Sequence, residues 1–130
     1  MRFLAAILLI LTASPALAQN TQPISKSLAE CSVIFKVMRI TAAQKNKPQE
    51  QLDKLQKGSD VFLEAAYDEA KTEGQAEGYI DGKLPALNEK WDKRWVSGTD
   101  LEILGYMQEN IEWTQYCGKL GKHKGFLPIK

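Results

Sequence analysis

Apolar residues recur at spacings of three and four along most of this chain, which is the period of an α-helix with one buried face. No stretch alternates apolar and polar residues for long, so the signals for β-strands are weak. The first stripe predicts a helix from about Ser25 to Lys45, which ends before Pro48 because proline cannot continue the helical ladder. The stripe consists of Leu28, Cys31, Phe35, Met38 and Ala42.

A second helix is predicted to start at Pro48, where the missing N–H of proline costs nothing, and to last to about Glu73. Residues 74–82 then contain three glycines four residues apart. Each glycine weakens a helix, so we expect a frayed or broken helix here that ends in a turn at Asp81 and Gly82. The alternative is a continuous helix whose small residues form a groove for a neighbouring helix.

The third predicted helix has Pro85 near its start and carries Leu84, Leu87 and two tryptophans on one face. The fourth begins at Thr99, because Thr99 and Glu102 have the spacing of a capping box. Gly118 and Gly121 are expected to end it. Its apolar stripe consists of Leu104, Met107, Ile111, Thr114 and Cys117, and we expect this stripe to face the core.

Four helices joined by short connections predict an all-α fold, a small up-down four-helix bundle with an irregular region around the third helix. In that topology the first and fourth helices are antiparallel neighbours. Cys31 lies early in the first helix and Cys117 late in the fourth, so both are expected at the same end of the bundle. The predicted domain covers residues 19–121, and residues 122–130 are expected to form an irregular basic tail.

The first 18 residues have the three parts of a cleaved signal peptide. Arg2 supplies a positive charge, residues 3–11 are an unbroken apolar run, and Ala16-Leu17-Ala18 fits the small-x-small site of signal peptidase. A membrane anchor is the alternative, but the run has about half of the roughly 20 apolar residues that a spanning helix needs. We therefore expect cleavage after Ala18, a periplasmic or secreted protein, and no membrane span in the mature form.

The two cysteines are expected to form a disulfide, because an exported chain meets an oxidising compartment. The bridge would close a loop of about 90 residues and stabilise the fold by roughly 4–5 kcal/mol. A reactive or metal-binding thiol is the alternative. A redox motif would place the cysteines two residues apart, whereas Cys31 and Cys117 are far apart in sequence.

The charge is balanced overall but uneven along the chain. Without the leader there are 16 basic and 16 acidic residues, which argues against a nucleic-acid binder because such proteins need a surplus of cations. Residues 48–81 hold nine acids and three bases, and residues 113–130 hold four lysines and no acid. These segments could pack side by side or be solvated, and the basic tail could instead dock on an acidic partner.

No catalytic, metal or cofactor site is expected from the motifs. His123 is the single histidine and lies in the basic tail, where a general base would lack a pocket and an orienting partner. The chain has no Cys-x-x-Cys-His for haem and no Gly-x-Ser-x-Gly for a nucleophilic serine. Zinc would need ligand spacings that the sequence does not contain.

Two tryptophans with flanking cations form one candidate interaction surface, namely Trp91, Lys93, Arg94 and Trp95. Aromatic and arginine side chains are frequent at the centres of protein interfaces. Both tryptophans also continue an apolar stripe, so anchoring in the core is the favoured interpretation. A second candidate is an acidic row, Asp60, Glu64 and Asp68, which could bind cations or a basic partner but is more often a solvated helix face.

These features favour an exported, non-enzymatic binding or interaction protein of a bacterial-type periplasm. An inhibitor, a chaperone-like protein or an envelope accessory factor would fit, and the sequence does not identify the partner. The alternative is a carrier that holds a small ligand or cofactor in a pocket between the helices.

Overall fold

The computed structural model describes residues 21–130, and within this range the protein has five helices and no β-strand. The all-α prediction is therefore confirmed. The predicted leader, residues 1–18, lies outside the described residues. The helices are α1 (Ile24–Gln44), α2 (Gln49–Thr72), α3 (Tyr79–Trp95), α4 (Asp100–Gly105) and α5 (Met107–Lys124).

The predicted disulfide joins α1 to α5. The Cα atoms of Cys31 and Cys117 lie 5.5 Å apart, within the usual range for a disulfide, and both residues are buried. Cys31 lies in the second turn of α1 and Cys117 in the second half of α5, as the antiparallel arrangement of the first and last helices requires. The bridge therefore fixes the opening and closing helices at one end of the bundle.

The side-chain contacts between α1 and α2 give an antiparallel pair. Ser25, near the start of α1, is hydrogen-bonded to Glu73 at the end of α2. Ser32, later in α1, is hydrogen-bonded to Ser59, which lies earlier in α2. Gly58 is buried beside the ring of Phe35, and a Cβ atom on Gly58 would lie only 2.3 Å from that ring. A glycine at this position thus lets the two helices approach closely.

α1 is the central helix, because it is buried on all sides from Ser27 to Ile34 rather than along one stripe. Every residue from Leu28 to Ile34 is buried, including two polar ones. Ser32 shares hydrogen bonds with Ser59, and Glu30 accepts hydrogen bonds from the side chains of α3. Burial of these polar groups is tolerated because each of them has a partner.

The turn between α2 and α3 lies earlier in the chain than the predicted turn at Asp81 and Gly82. Gly74 and Gly78 have φ angles of 72° and 80°, a backbone conformation that favours glycine, and α3 begins directly afterwards. The prediction of a turn at Asp81 and Gly82 is wrong, since both residues lie inside α3. Pro85 consequently lies inside this helix rather than near its start.

The predicted fourth helix is divided into α4 and α5 at Tyr106. Its start is confirmed, because the Thr99 hydroxyl oxygen accepts a hydrogen bond from the backbone N–H of Glu102 at 3.2 Å. The predicted end at Gly118 and Gly121 is wrong. The helix continues to Lys124 and ends at Gly125, whose φ is 85°. The first three residues of the predicted irregular tail, 122–124, are therefore helical.

The C-terminal residues fold back onto α2. The rings of Phe126 and Phe62 meet edge to face with 4.9 Å between their centroids, and Lys124 forms an ion pair with Glu69 at 3.0 Å. The close fit of Leu127 over Gly121 leaves no room for a Cβ atom on that glycine. The basic end of the chain thus lies beside acidic α2, as the first of the three interpretations of the charge pattern predicts.

Candidate functional site

The junction of α4 and α5 carries a group of exposed apolar side chains, here called the elbow patch. Leu101 is 80% exposed, Leu104 60%, Met107 48% and Ile111 46%. The prediction that Leu104, Met107 and Ile111 face the core is therefore wrong. Large exposed groups of apolar side chains often mark binding sites.

A cavity of about 450 Å³ opens beside this patch, and we call it the elbow pocket. Its wall consists almost entirely of apolar atoms. A volume of this size lies within the range of small-molecule binding sites, which are mostly apolar with a few polar groups. The lining residues are Met38 of α1, Trp95 of α3, Ile103 of α4, and Met107, Asn110, Ile111, Thr114 and Gln115 of α5.

Asn110 is the buried polar residue of the elbow pocket, with 8% of its surface exposed. Its Nδ2 donates a hydrogen bond to the backbone carbonyl of Arg94 at 3.2 Å, while its Oδ1 has no partner within residues 21–130. An unpaired buried acceptor costs about 1–3 kcal/mol, so such groups are usually satisfied. Because Oδ1 is itself shielded from solvent, the wall of the pocket is apolar even at this polar residue.

Arg94 holds the junction of α4 and α5 against α3. Its guanidinium group pairs with Glu109 at 2.7 Å and lies over the ring of Tyr106, 4.5 Å from the centroid. A second ring, that of Trp91, lies 5.5 Å from the same group. These contacts fix the start of α5 against α3, and with it the pocket wall that includes Asn110.

A second cavity, of about 240 Å³, adjoins the elbow pocket, and we call it the lysine groove. Met38 and Trp95 line both cavities. Lys45 and Lys47 are exposed at the lysine groove, and neither forms an ion pair within the described part of the chain. The remaining lining residues are Thr41, Ala42, Gln51 and Leu55.

The tryptophans and cations proposed from the sequence do not form one surface. Trp91 is fully buried, so its assignment to an interaction surface is wrong and the favoured core interpretation is correct. Lys93 is exposed and pairs with Glu89, whose hydrogen bond and charge raise the pKa of the Lys93 ammonium group. Arg94 is held by Glu109, and Trp95 is half-buried in the wall of both cavities.

The acidic row is a solvent-exposed face of α2. Asp60, Glu64 and Asp68 are all exposed, and Asp60 accepts a hydrogen bond from Gln56 one turn away. No group of three or more potential metal ligands occurs within residues 21–130. A basic partner for this row stays a prediction. His123 is exposed in the last turn of α5.

A third cavity, of about 410 Å³, lies at the turn between α2 and α3 and has a more polar wall. Here the Tyr67 hydroxyl donates a hydrogen bond to the carboxylate of Asp81. This bond, together with partial burial and the negative charge of Asp81, raises the pKa of Tyr67. The hydrogen bond from Tyr67 fixes the start of α3 on α2.

The pocket residues Ile103, Asn110, Thr114 and Gln115 were not identified as a site from the sequence. The spacing of Leu104, Met107 and Ile111 was a usable signal, but it shows an apolar face without showing what covers it. Within residues 21–130, no helix is both long and apolar enough to span a membrane. The chain matches no protein family model, and it shows no significant similarity to a curated protein or to a solved structure.

Proposed function

We propose that this chain is an exported, non-enzymatic binding protein that carries a small ligand with an apolar group in the elbow pocket. The observation that supports this proposal is an apolar cavity of about 450 Å³ whose lining includes three polar side chains, Asn110, Thr114 and Gln115. Ligand sites have this composition, because apolar walls give affinity and a few polar groups fix orientation.

Export is supported by two independent features. Residues 1–18 have the pattern of a signal peptide, and Cys31 and Cys117 lie at disulfide distance. A disulfide that joins the first and last helices persists in an oxidising compartment such as a periplasm, where a carrier protein would meet molecules of the envelope.

The second candidate function is an interaction with another protein through the elbow patch. Leu101 and Leu104 favour it, because they are strongly exposed and neither lines the elbow pocket. A small ligand held inside the pocket would leave both leucines in water, whereas a protein partner could cover them. Met107 and Ile111 belong to both the patch and the pocket lining, so Leu101 and Leu104 are the residues that separate the two candidates.

Titration with Nile red, a neutral dye whose fluorescence rises in apolar surroundings, tests the carrier function. We expect saturable binding to the wild-type protein. Thr114→Phe and Gln115→Trp place larger side chains in the pocket wall and should each abolish it. Leu101→Gln is the matched control, because Leu101 is the most exposed of these apolar residues and lies outside the lining.

Three results separate the candidates. Dye binding that is lost in Thr114→Phe and retained in Leu101→Gln supports a carrier. Unchanged dye binding by both pocket-filling variants, with circular dichroism showing that they are folded, contradicts the proposal. Crosslinking to an envelope protein that fails in a Leu101→Gln/Leu104→Gln variant, but not in Thr114→Phe, favours the protein partner instead.

A further inference from the structure

We infer that the ligand is an amphipathic anion, with its apolar chain in the elbow pocket and its anionic head group at the lysine groove; this inference rests on the proposed carrier function. A carboxylate on a hydrocarbon chain is the simplest molecule of this class. The inference depends on three observations: the two cavities share lining residues, unpaired lysines lie at the lysine groove, and acidic residues lie at the elbow side of the pocket.

The two cavities are suitably placed for one molecule. Met38 and Trp95 line both of them, so a ligand that extends from one into the other would pass these two side chains. Lys45 directly follows the last residue of α1 and lies seven residues after Met38, which corresponds to about 10 Å along the helix axis. This spacing suits a ligand with a chain of medium length.

The lysine groove carries positive charge. Lys45 and Lys47 make no ion pair within the described residues, and they directly precede the N-terminus of α2. No side chain caps α2, and the first N–H groups of a helix lack partners within the helix and carry partial positive charge. Glu50, the acidic residue of this first turn, pairs with Lys54 at 3.4 Å.

The elbow side of the pocket has the opposite charge. Asp100, Glu102 and Glu112 make no ion pair within the described residues, whereas Glu109 is paired with Arg94. An anionic head group would be repelled at this end and attracted at the lysine groove, because like charges in close proximity are unfavourable and opposite charges are favourable. The charge distribution therefore orients an anionic amphiphile in one direction.

Displacement of Nile red by three probes of equal chain length tests the inference. The probes are decanoate, decanol and decyltrimethylammonium. We expect decanoate to displace the dye at the lowest concentration. A Lys45→Glu/Lys47→Glu variant should weaken decanoate by about tenfold or more, the equivalent of about 1.4 kcal/mol, and leave the binding of neutral Nile red unchanged.

The matched control is Lys119→Glu/Lys122→Glu, which changes the net charge equally on residues that line neither cavity. It should bind decanoate like the wild type. Equal loss in both double variants, or displacement by decanol as effective as that by decanoate, would overturn the inference of an anionic head group. Failure of Nile red itself to bind would instead remove the carrier function, so the two failures are distinguishable.

Discussion

The indole Nε1 of Trp91 donates a hydrogen bond to the carboxylate of Glu30 at 2.9 Å, in the buried centre of the bundle. The Nζ atom of Lys90 pairs with the same carboxylate at 2.5 Å and lies over the ring of Trp113, 5.3 Å from its centroid. One carboxylate of α1 thus binds two side chains of α3 and, through Lys90, contacts α5. The Glu30 side chain is 1% exposed and the Lys90 side chain 34%, so the carboxylate is shielded from water while the ammonium group reaches solvent.

Removal of this carboxylate should destabilise the fold strongly. In Glu30→Ala the buried indole N–H of Trp91 loses its acceptor and Lys90 loses its counter-charge. We expect the free energy of unfolding to fall by about 2–3 kcal/mol, chiefly because the buried indole N–H is left without an acceptor. Urea denaturation followed by tryptophan fluorescence measures the change. Glu89→Ala, which breaks an exposed pair with Lys93, should unfold like the wild type. Equal midpoints for both variants would contradict this prediction.

The disulfide should supply a large share of the stability. Cys31 and Cys117 are 86 residues apart in sequence. Closing a loop of this length lowers the conformational entropy of the unfolded chain, which stabilises the folded state by about 4–5 kcal/mol. A Cys31→Ala/Cys117→Ala variant should therefore unfold at much lower urea concentration than the oxidised wild type. Dithiothreitol should lower the wild-type midpoint towards that of the variant and leave the variant itself unchanged. A wild-type midpoint that does not respond to the reductant would refute the prediction.

Glu73 at the end of α2 acts as the N-terminal cap of α1, which lacks a side-chain cap of its own. Its carboxylate accepts hydrogen bonds from the hydroxyl of Ser25 at 2.5 Å and from the backbone N–H of Ser25 at 3.1 Å. Partial burial alone would raise the pKa of Glu73. The hydrogen bonds from Ser25, Gln75 and Ile24 outweigh burial, so the pKa is lowered below its ordinary value of 4.5.

This shift fixes the sign of a pH dependence. Because the folded pKa is depressed, the carboxylate stabilises the fold fully above pH 4.5, and this stabilisation is lost as the pH falls through the lower folded pKa. Glu73→Gln should cost about 1 kcal/mol at neutral pH, the usual value of a helix cap. The difference in free energy of unfolding between variant and wild type should become smaller in urea titrations carried out at successively lower pH. A gap that is independent of pH would show that the charge of Glu73 plays no part.

Two glycine substitutions should have opposite effects. A Cβ atom on Gly58 would collide with the ring of Phe35 at 2.3 Å, whereas a Cβ atom on Gly118 would meet nothing within 4 Å. Gly58→Ala should therefore destabilise the protein by about 1–3 kcal/mol through overpacking. Gly118→Ala lies on an open helix face and should stabilise it by up to about 1 kcal/mol. Thermal unfolding of both variants checks this, and a stabilising Gly58→Ala would mean that α1 and α2 are not closely packed there.

The pattern of the sequence was sufficient for the existence of the helices and for their order. The stripes at the helical period, Pro48 and the capping box at Thr99 are local signals, since each depends on residues within a few positions of one another. The disulfide could also be predicted, because an up-down topology places Cys31 and Cys117 at the same end. The helix ends near glycines were less predictable. Gly118 and Gly121 fit within a helix, while Gly74 follows the end of α2 and Gly78 directly precedes α3, both in the left-handed conformation.

The sequence by itself thus determined that the chain forms helices and which cysteines meet. Only the tertiary structure decided which helix faces are covered. The polar residues Glu30 and Ser32 are buried because distant helices supply Trp91 and Ser59 as partners, while Met107 and Ile111 stay exposed because no other described helix packs over the elbow. Periodicity shows that a helix face is apolar, but whether that face is buried depends on contacts between residues far apart in the chain. The elbow pocket also depends on such contacts, because side chains of four helices line it.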